Sequence, residues 1–430
     1  MSTVHASSYT HPSSTAQFTI IRDEAQGINT RNAEDWLAQA SEVSGAYIHV
    51  PFCFHKCHYC DFYSIIGVKD SQADFVDALE QEFKAVGPYI NAPLSSIFIG
   101  GGTPTLLEGK LLTKMLRSIA LNFPTTQEIE WTIEANPETI TPDIARRLVD
   151  GGVNRVSIGA QSFDEDCLKA LERWHTPESV GQSVEVLREA GIKNINLDLI
   201  FAIPNQTIEI VHEDLRKATE LEVEHISSYA LSFEPNTPLT VRQQRGDVKK
   251  IDEDLEAKMF EATMEMLTSQ GFEHYEISNY AKPDKECKHN LLYWNNGNWW
   301  PFGPAAAGYV NGLRWRNVPR FSQYAKHDGL PLIEEVEFLS PSGQAGESLM
   351  LGLRLKRGIH RKRISKILSV DGGLWRVEVL EKHIESRLIH WKDDHLCLTK
   401  RGLMLADPVI GDLLMEESSM VDTSEQETNG

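Results

Sequence analysis

Three cysteines within eight residues constrain this chain more than any other feature. Cys53, Cys57 and Cys60 follow the spacing C-x3-C-x2-C. An apolar run at 47–50 leads into them, so the cysteines are expected on the loop after a first strand. Thiolates on one short loop can converge on a metal centre, and soft sulfur ligands suit iron–sulfur clusters or zinc. A structural zinc site usually closes with four ligands, and an ordinary four-iron cluster takes four cysteines. The other cysteines, Cys167, Cys287 and Cys397, are far apart and share no motif. A cluster held by three cysteines leaves one iron open to a small molecule. The alternatives are a zinc knuckle completed by His55 or His58, and thiols that only pack.

A chain of 430 residues suits one large α/β domain plus a smaller one. The net charge of −20 argues against nucleic acid or an anionic membrane as the main partner. No apolar run approaches the length of a membrane span, and the N-terminus has no secretory signal. Six cysteines in a chain this long form no disulfide framework, and a cluster needs a reducing compartment. The sequence therefore reads as a cytoplasmic protein, not an integral membrane one, with at most peripheral membrane contact.

Residues 1–16 read as a disordered tail, within an N-terminal region of 1–45 that carries no chemistry. Residues 32–43 could form a short helix. From 46 to 285, apolar runs at 47–50, 96–99, 129–134, 155–158, 195–200 and 226–231 alternate with helical patterns. The helical patterns fall at 75–86, 111–121, 144–149, 179–190, 212–221 and 255–270. Strands alternating with helices imply a parallel sheet. Six repeats fit an α/β fold, an incomplete TIM-like (β/α)6 barrel, whose chemistry sits at the C-terminal strand ends. Residues 286–334 read as an aromatic-rich connecting segment, with a loop over 295–319. Residues 335–415 read as a smaller, mostly helical, winged-helix-like domain with a turn at Gly402. Residues 416–430 read as a second disordered tail.

The strand ends carry polar or glycine-rich groups. The second run ends in Gly100, Gly101, Gly102, Thr103 and Pro104, where bare backbone can approach a ligand closely. The third ends at Glu134, a carboxylate that is costly to bury alone; a solvated strand end is the bland reading. The fourth ends at Gln161, with a helix over 164–173 finishing at Arg173. That guanidinium could fork a carboxylate or simply favour a helix C-terminus. The fifth places Asp198 among apolar residues, where ribose hydroxyls or a structural salt bridge would satisfy it.

Six stretches together resemble one branch of a known superfamily: "YIHVPFCFHKCHYCDF", "IFIGGGTPT", "TIEANPETI", "RVSIGAQSF", "NLDLIFAIPNQT" and "HISSYALSFEPNTPL". The superfamily is that of the radical S-adenosylmethionine (SAM) enzymes. The branch holds the oxygen-independent coproporphyrinogen III oxidases and their heme-chaperone relatives, and the resemblance spans about 47–407. It implies a [4Fe-4S] cluster on Cys53, Cys57 and Cys60. It also implies a SAM site lined by Tyr47, Gly101, Gly102, Thr103, Glu134, Gln161, Arg173 and Asp198. The chain departs from the family where glycine is common, at Glu172, Ala202 and Asn205, which touches turn geometry.

Two markers favour the chaperones within that branch. The oxidases carry a fourth cysteine where this chain has Phe62. The segment from His289 to Trp294 resembles the chaperone motif H-N-x-x-Y-W, which makes His289 a candidate heme residue. The expected function is to bind heme, a porphyrin, and deliver it to apo-heme proteins, respiratory enzymes among them. The alternative is oxidative decarboxylation of coproporphyrinogen III to protoporphyrinogen IX. A third reading is a radical SAM enzyme with another substrate. A basic cluster at Arg354, Lys356, Arg357, Arg361, Lys362, Arg363 and Lys366 reads as a solvated helix face, or as a contact for an anionic partner such as heme propionates.

Overall fold

In the computed structural model, residues 7–10, 17–20, 37–67, 71–327, 329–371 and 374–414 are described. The expected tail at 416–430 and most of 1–45, including Trp36, lie outside them. Within the span read as a tail, Ser7–Thr10 forms a strand antiparallel to Gln17–Ile20. Of the short helix expected at 32–43, the described part is helical at 37–38 and a 3-10 turn at Gln39–Glu42.

Each expected apolar run forms a strand. They are β1 (Gly45–Val50), β2 (Leu94–Gly101), β3 (Thr125–Ala135), β4 (Arg155–Gln161), β5 (Asn194–Phe201) and β6 (His225–Ala230). All five neighbouring pairs are parallel and in chain order. The crossovers are α1 (Ser71–Val86), α2 (Gly109–Asn122), α3 (Pro142–Asp150), α4 (Pro177–Ala190) and α5 (Ile208–Glu220), with α6 (Glu253–Ser269) after β6. Local chemistry sets their starts. Thr141 accepts from the Ile144 N–H ahead of Pro142 at the first helical position, and Thr207 caps α5 the same way.

The loop expected over 295–319 is corrected by the structure. Trp299–Phe302, Ala307–Val310 and Leu313–Asn317 are strands, and the first pairs in parallel with β1. Trp300 and Trp315 are buried and meet edge to face at 4.9 Å. Their alternation with polar residues was masked by the density of Gly, Asn and Pro around them.

The chain divides into two compact units. The first comprises 1–273, 278–292 and 297–338; the second comprises 274–277, 293–296 and 339–430. The second unit holds the helices Pro341–Arg354, Arg361–Asp371 and Leu374–Glu385 and an antiparallel sheet of Ile359–His360, His395–Leu398 and Ile389–Lys392. Gly402 lies inside helix Lys400–Met404 rather than at a turn. A Cβ there would sit 1.9 Å from the Leu388 carbonyl oxygen, so close packing demands the glycine. Several of the clustered cations are engaged locally. Arg357 and Arg363 donate to Asn295, and Arg361 lies 4.0 Å over the Trp391 ring. Among the described residues no helix is long and apolar enough to cross a membrane.

Candidate cofactor site at the strand ends

Parallel strands buried on both faces are ordinarily continuous apolar runs. Here every second residue on one face is polar. Thr132 pairs in register with Arg155, Glu134 with Ser157, Ser157 with Asn196, and Asp198 with Ser227. All but Glu134 and Asp198 have almost no exposed surface. Polar groups enclosed this way must satisfy one another or a ligand.

At the C-terminal ends they converge on the cysteine loop. Phe52–Cys53 pairs with Ile65–Ile66, which closes the loop on itself. The Thr103 N–H donates to the Phe52 carbonyl, and Thr103 Oγ1 lies 4.0 Å from Cys53 Sγ. Asn136 Nδ2 donates to Thr103 Oγ1 at 3.1 Å. Arg173 Nη2 donates to Asn136 Oδ1 at 2.8 Å and to the Gly159 carbonyl at 2.7 Å. Arg173 Nη1 reaches Cys57 Sγ at 3.8 Å. Burial pushes the Cys60 thiol up to about 11, and the nearby Cys57 and Cys53 add to this. Burial likewise raises Cys53.

The carboxylates are held deeper. Glu134 Oε2 accepts from the Gly101 N–H at 2.9 Å. Burial first, and the charge of Asp198 second, push Glu134 up to about 7. Asp198 accepts from Ser157 Oγ at 2.9 Å and Asn196 Nδ2 at 2.8 Å, yet burial still raises it. Tyr47 stacks on Phe98 at 6.3 Å, and its hydroxyl sits 3.0 Å from His49 Nδ1. The other ring nitrogen of His49 donates to the Tyr63 carbonyl, which leaves Nδ1 to accept from Tyr47. Burial and then Glu134 lift the Tyr47 phenol well above its ordinary value. Gln161 has a left-handed backbone at φ 62°, and its amide nitrogen would lie 2.9 Å from a Cβ at Gly159. Side chains are excluded at Gly101 and Gly102. A Cβ would meet the His49 ring at 2.5 Å and the Phe52 carbonyl oxygen at 2.6 Å respectively.

Of the expected residues, Gly101 and Glu134 bond to each other, and Thr103 and Arg173 reach the cysteine loop. Arg173 reaches it from beyond a shorter helix than expected, Glu165–Ala170, followed by Glu172 at φ 57°. His289 is not brought to the cysteines. It has no exposed surface, lies 2.9 Å from Ser96 Oγ near the start of β2, and stacks on Phe98 at 5.4 Å. Burial depresses its imidazole to about 3. Asn136 bonds to Thr103 and Arg173, His49 to Tyr47, and neither was singled out from the sequence. Their signal was positional: each stands at or beside a strand end that carried an expected residue.

The residues fit an iron–sulfur cluster and a polar, cationic ligand. Three thiols on one loop lack a nearby fourth, and none of Cys53, Cys57 and Cys60 is in a disulfide. Among the described residues no three His, Cys, Asp or Glu side chains converge on a single-ion position. A cluster spreads its thiolates over separate irons, whereas zinc draws its ligands to one point. Two partly buried carboxyls with raised values suit an ammonium or further hydroxyl donors.

Comparison with known proteins bears on this geometry. A profile of the radical SAM superfamily matches residues 47–218. The heme chaperone HemW of Lactococcus lactis is 34% identical over 87% of this chain and 98% of its own length. That of Bacillus subtilis is 36% identical over 87% of this chain and all of its own. The structure of coproporphyrinogen III oxidase (HemN) from Escherichia coli, a radical SAM enzyme, superposes with a TM-score of 0.77 at 20% identity. It covers 89% of this chain and 93% of that one.

Proposed function

We propose heme delivery as the function of this chain, which belongs to the radical SAM superfamily and, within it, to the HemW family of heme chaperones. The observation that carries the reading is the near end-to-end match to HemW proteins. The likeness to the coproporphyrinogen oxidase lies in the fold. As a radical SAM protein the chain carries a [4Fe-4S] cluster and binds SAM. When bound, the cluster would be able to supply an electron for splitting SAM.

Cys53, Cys57 and Cys60 hold the cluster, and each must lose a proton to do so. Arg173 donates from Nη1 to Cys57 Sγ and so helps to hold that side chain in place. Gly101 and Gly102 would bring bare backbone to SAM, and Thr103 and Tyr47 would flank it. Glu134 and Asp198 would accept from its ammonium and ribose hydroxyls. Gln161 closes the site beside Gly159. Heme then passes to apo-proteins, for which respiratory enzymes are the fitting class. An oxygen-sensitive cluster on three cysteines supports a reducing compartment, the cytoplasm.

The test is anaerobic and uses the full chain with its cluster rebuilt. One half is titrated with heme and followed at the Soret band; the other is assayed with SAM, a reductant and coproporphyrinogen III. Saturable heme binding without turnover is expected. Repeated turnover to protoporphyrinogen would overturn the chaperone reading in favour of the oxidase.

A further inference from the structure

The end of β4 departs from the regular ladder. Gly159 lies opposite Asp198 and Gln161 opposite Leu199, so Ala160 is an extra residue, a β-bulge. The Ser162 N–H donates back to the Ala160 carbonyl at 2.8 Å, across a left-handed Gln161 at φ 62°. A bond from residue i+2 to residue i around such a centre is the γ-turn of the rare, strained kind. Left-handed geometry is costly for glutamine, so the surroundings must impose it.

Two buried side chains hold the turn, one before its centre and one after. His175 Nε2 donates to the Ala160 carbonyl at 2.9 Å. Asp214, on α5, accepts from the Ser162 hydroxyl at 2.7 Å and the Phe163 N–H at 2.6 Å. The same carboxyl accepts from Gln206 Nε2 at 3.4 Å, and Gln206 Oε1 accepts from the Ile203 N–H. Asp214 thus ties the loop after β4 to the loop after β5. The bond to Ala160 is the His175 ring's only hydrogen bond among the described residues. Its Nδ1 is covered without a partner, 3.9 Å from Glu138 Oε1. Burial, and then the charge of Arg173, lower that imidazole to about 4, so it is neutral with its proton on Nε2. An enclosed histidine with one unsatisfied nitrogen and one bond to a bulge calls for a reason.

The turn fixes where the Gln161 side chain goes. Its amide lies over Gly159, where a Cβ would meet Gln161 Nε2 at 2.9 Å and Arg173 Nη2 at 3.3 Å. Arg173 bonds the Gly159 carbonyl and Asn136, and through them the amide stands beside the network that ends at Thr103 and Cys53. We propose that His175 and Asp214 are positioning residues for SAM: they hold the strained turn that sets the Gln161 amide toward it. The inference rests on the reading above that SAM occupies this site and Gln161 faces it. Neither residue touches the ligand. His175 acts through the Ala160 carbonyl, and Asp214 through Ser162 and Phe163. A glutamine amide both donates and accepts, and a side chain fixed in advance need not be ordered when the ligand arrives. Released, Gln161 relaxes toward extended backbone and its amide leaves Gly159.

The experiment measures SAM affinity by equilibrium dialysis on the full chain with its cluster rebuilt, with iron and sulfide content as the control for the cysteine loop. Gln161→Ala is expected to weaken SAM about tenfold, the loss of one polar contact. His175→Ala and Asp214→Asn should each weaken it several-fold at unchanged cluster content. His175→Gln, whose amide nitrogen can stand in for Nε2, should restore most of the affinity. In a Gln161→Ala chain, His175→Ala should cause no further loss, because it acts through the side chain already removed. If Gln161→Ala weakens SAM while His175→Ala and Asp214→Asn bind it as wild type does, the positioning role is overturned and the SAM site stands. Equal losses from His175→Ala in both backgrounds also overturn it, and make the histidine a structural residue. A Gln161→Ala chain with wild-type affinity overturns the proposal together with the placing of Gln161 at SAM. A wild-type chain that binds no SAM removes the site and the proposal with it. If His175→Ala holds no cluster, Asp214→Asn decides, and must weaken SAM at full cluster content for the proposal to stand.

Discussion

Two polar centres lie inside the same barrel, and they are built from the same residue types. At the strand ends are three cysteines, Glu134, Asp198 and Arg173. Near the strand starts are Cys287, Glu130, Ser96 and His289. The second centre is closed: the Glu130 carboxylate accepts from the Lys288 and His289 N–H groups and from the Cys287 thiol, and His289 meets Ser96. The first is open: its thiols are partly exposed, and two of its carboxyls keep raised values despite their donors. Residue type does not separate a ligand site from a structural core. What separates them is whether the buried polar groups already satisfy one another.

The sharpest way to break the comparison is to remove one cysteine from each centre. Cys57→Ser is expected to abolish cluster assembly, so that iron and sulfide fall from about four per chain to near zero. Cys287→Ser should leave both near four. Equal losses would mean that the two centres are not distinct.

The open centre also carries a stability cost that the pH dependence exposes. In the cofactor-free chain, Glu134 has a folded value of about 7 against an ordinary 4.5. The native state therefore holds an extra proton between those values, and stability is lost as pH rises through that window. A shift of this size corresponds to a loss on the order of 3 kcal/mol above pH 7. Urea unfolding of Glu134→Gln, measured from pH 4.5 to 8, should lack this component. Parallel profiles for variant and wild type would show that Glu134 ionises without penalty.

In the closed centre the expected effect is on stability alone. His289→Ala leaves Ser96 unpaired and opens a hole beneath Phe98, at a cost of about 2 kcal/mol. The measurement is again urea unfolding. A variant as stable as wild type would mean that this histidine is not part of the barrel's packing.

Much of this was readable beforehand, for a physical reason. Alternating apolar runs and helical faces at even spacing located all six strands and their helices. Strand ends then pointed to the proposed ligand groups, because topology fixes where a parallel barrel keeps its chemistry. His289 was harder, since a six-residue motif gives residue types but not burial. The fate of its side chain depends on Ser96 and Glu130, more than 150 residues away in the chain. The strands at 299–317 were hidden for a related reason. Their pairing with β1 and with one another is long-range or tightly turned, and Gly, Pro and Asn dominate the local pattern.

The smallest effect separates the two centres by backbone rather than side chain. The three departures from family glycines all carry left-handed backbones: Glu172 at φ 57°, Ala202 at 60° and Asn205 at 66°. All three lie in the loops after β4 and β5, on the open side. Left-handed geometry costs an L residue roughly 1–2 kcal/mol, which asparagine partly recovers through its short polar side chain. Alanine recovers none of it. Glycine removes the strain but enlarges the unfolded ensemble, which returns part of the gain. Ala202→Gly should therefore stabilise the chain by about 0.5–1 kcal/mol, with Asn205→Gly closer to zero. Urea midpoints of the two variants decide the matter. If Ala202→Gly lowers the midpoint, then the packing of that buried methyl group, not its backbone, sets the loop beneath Asp198.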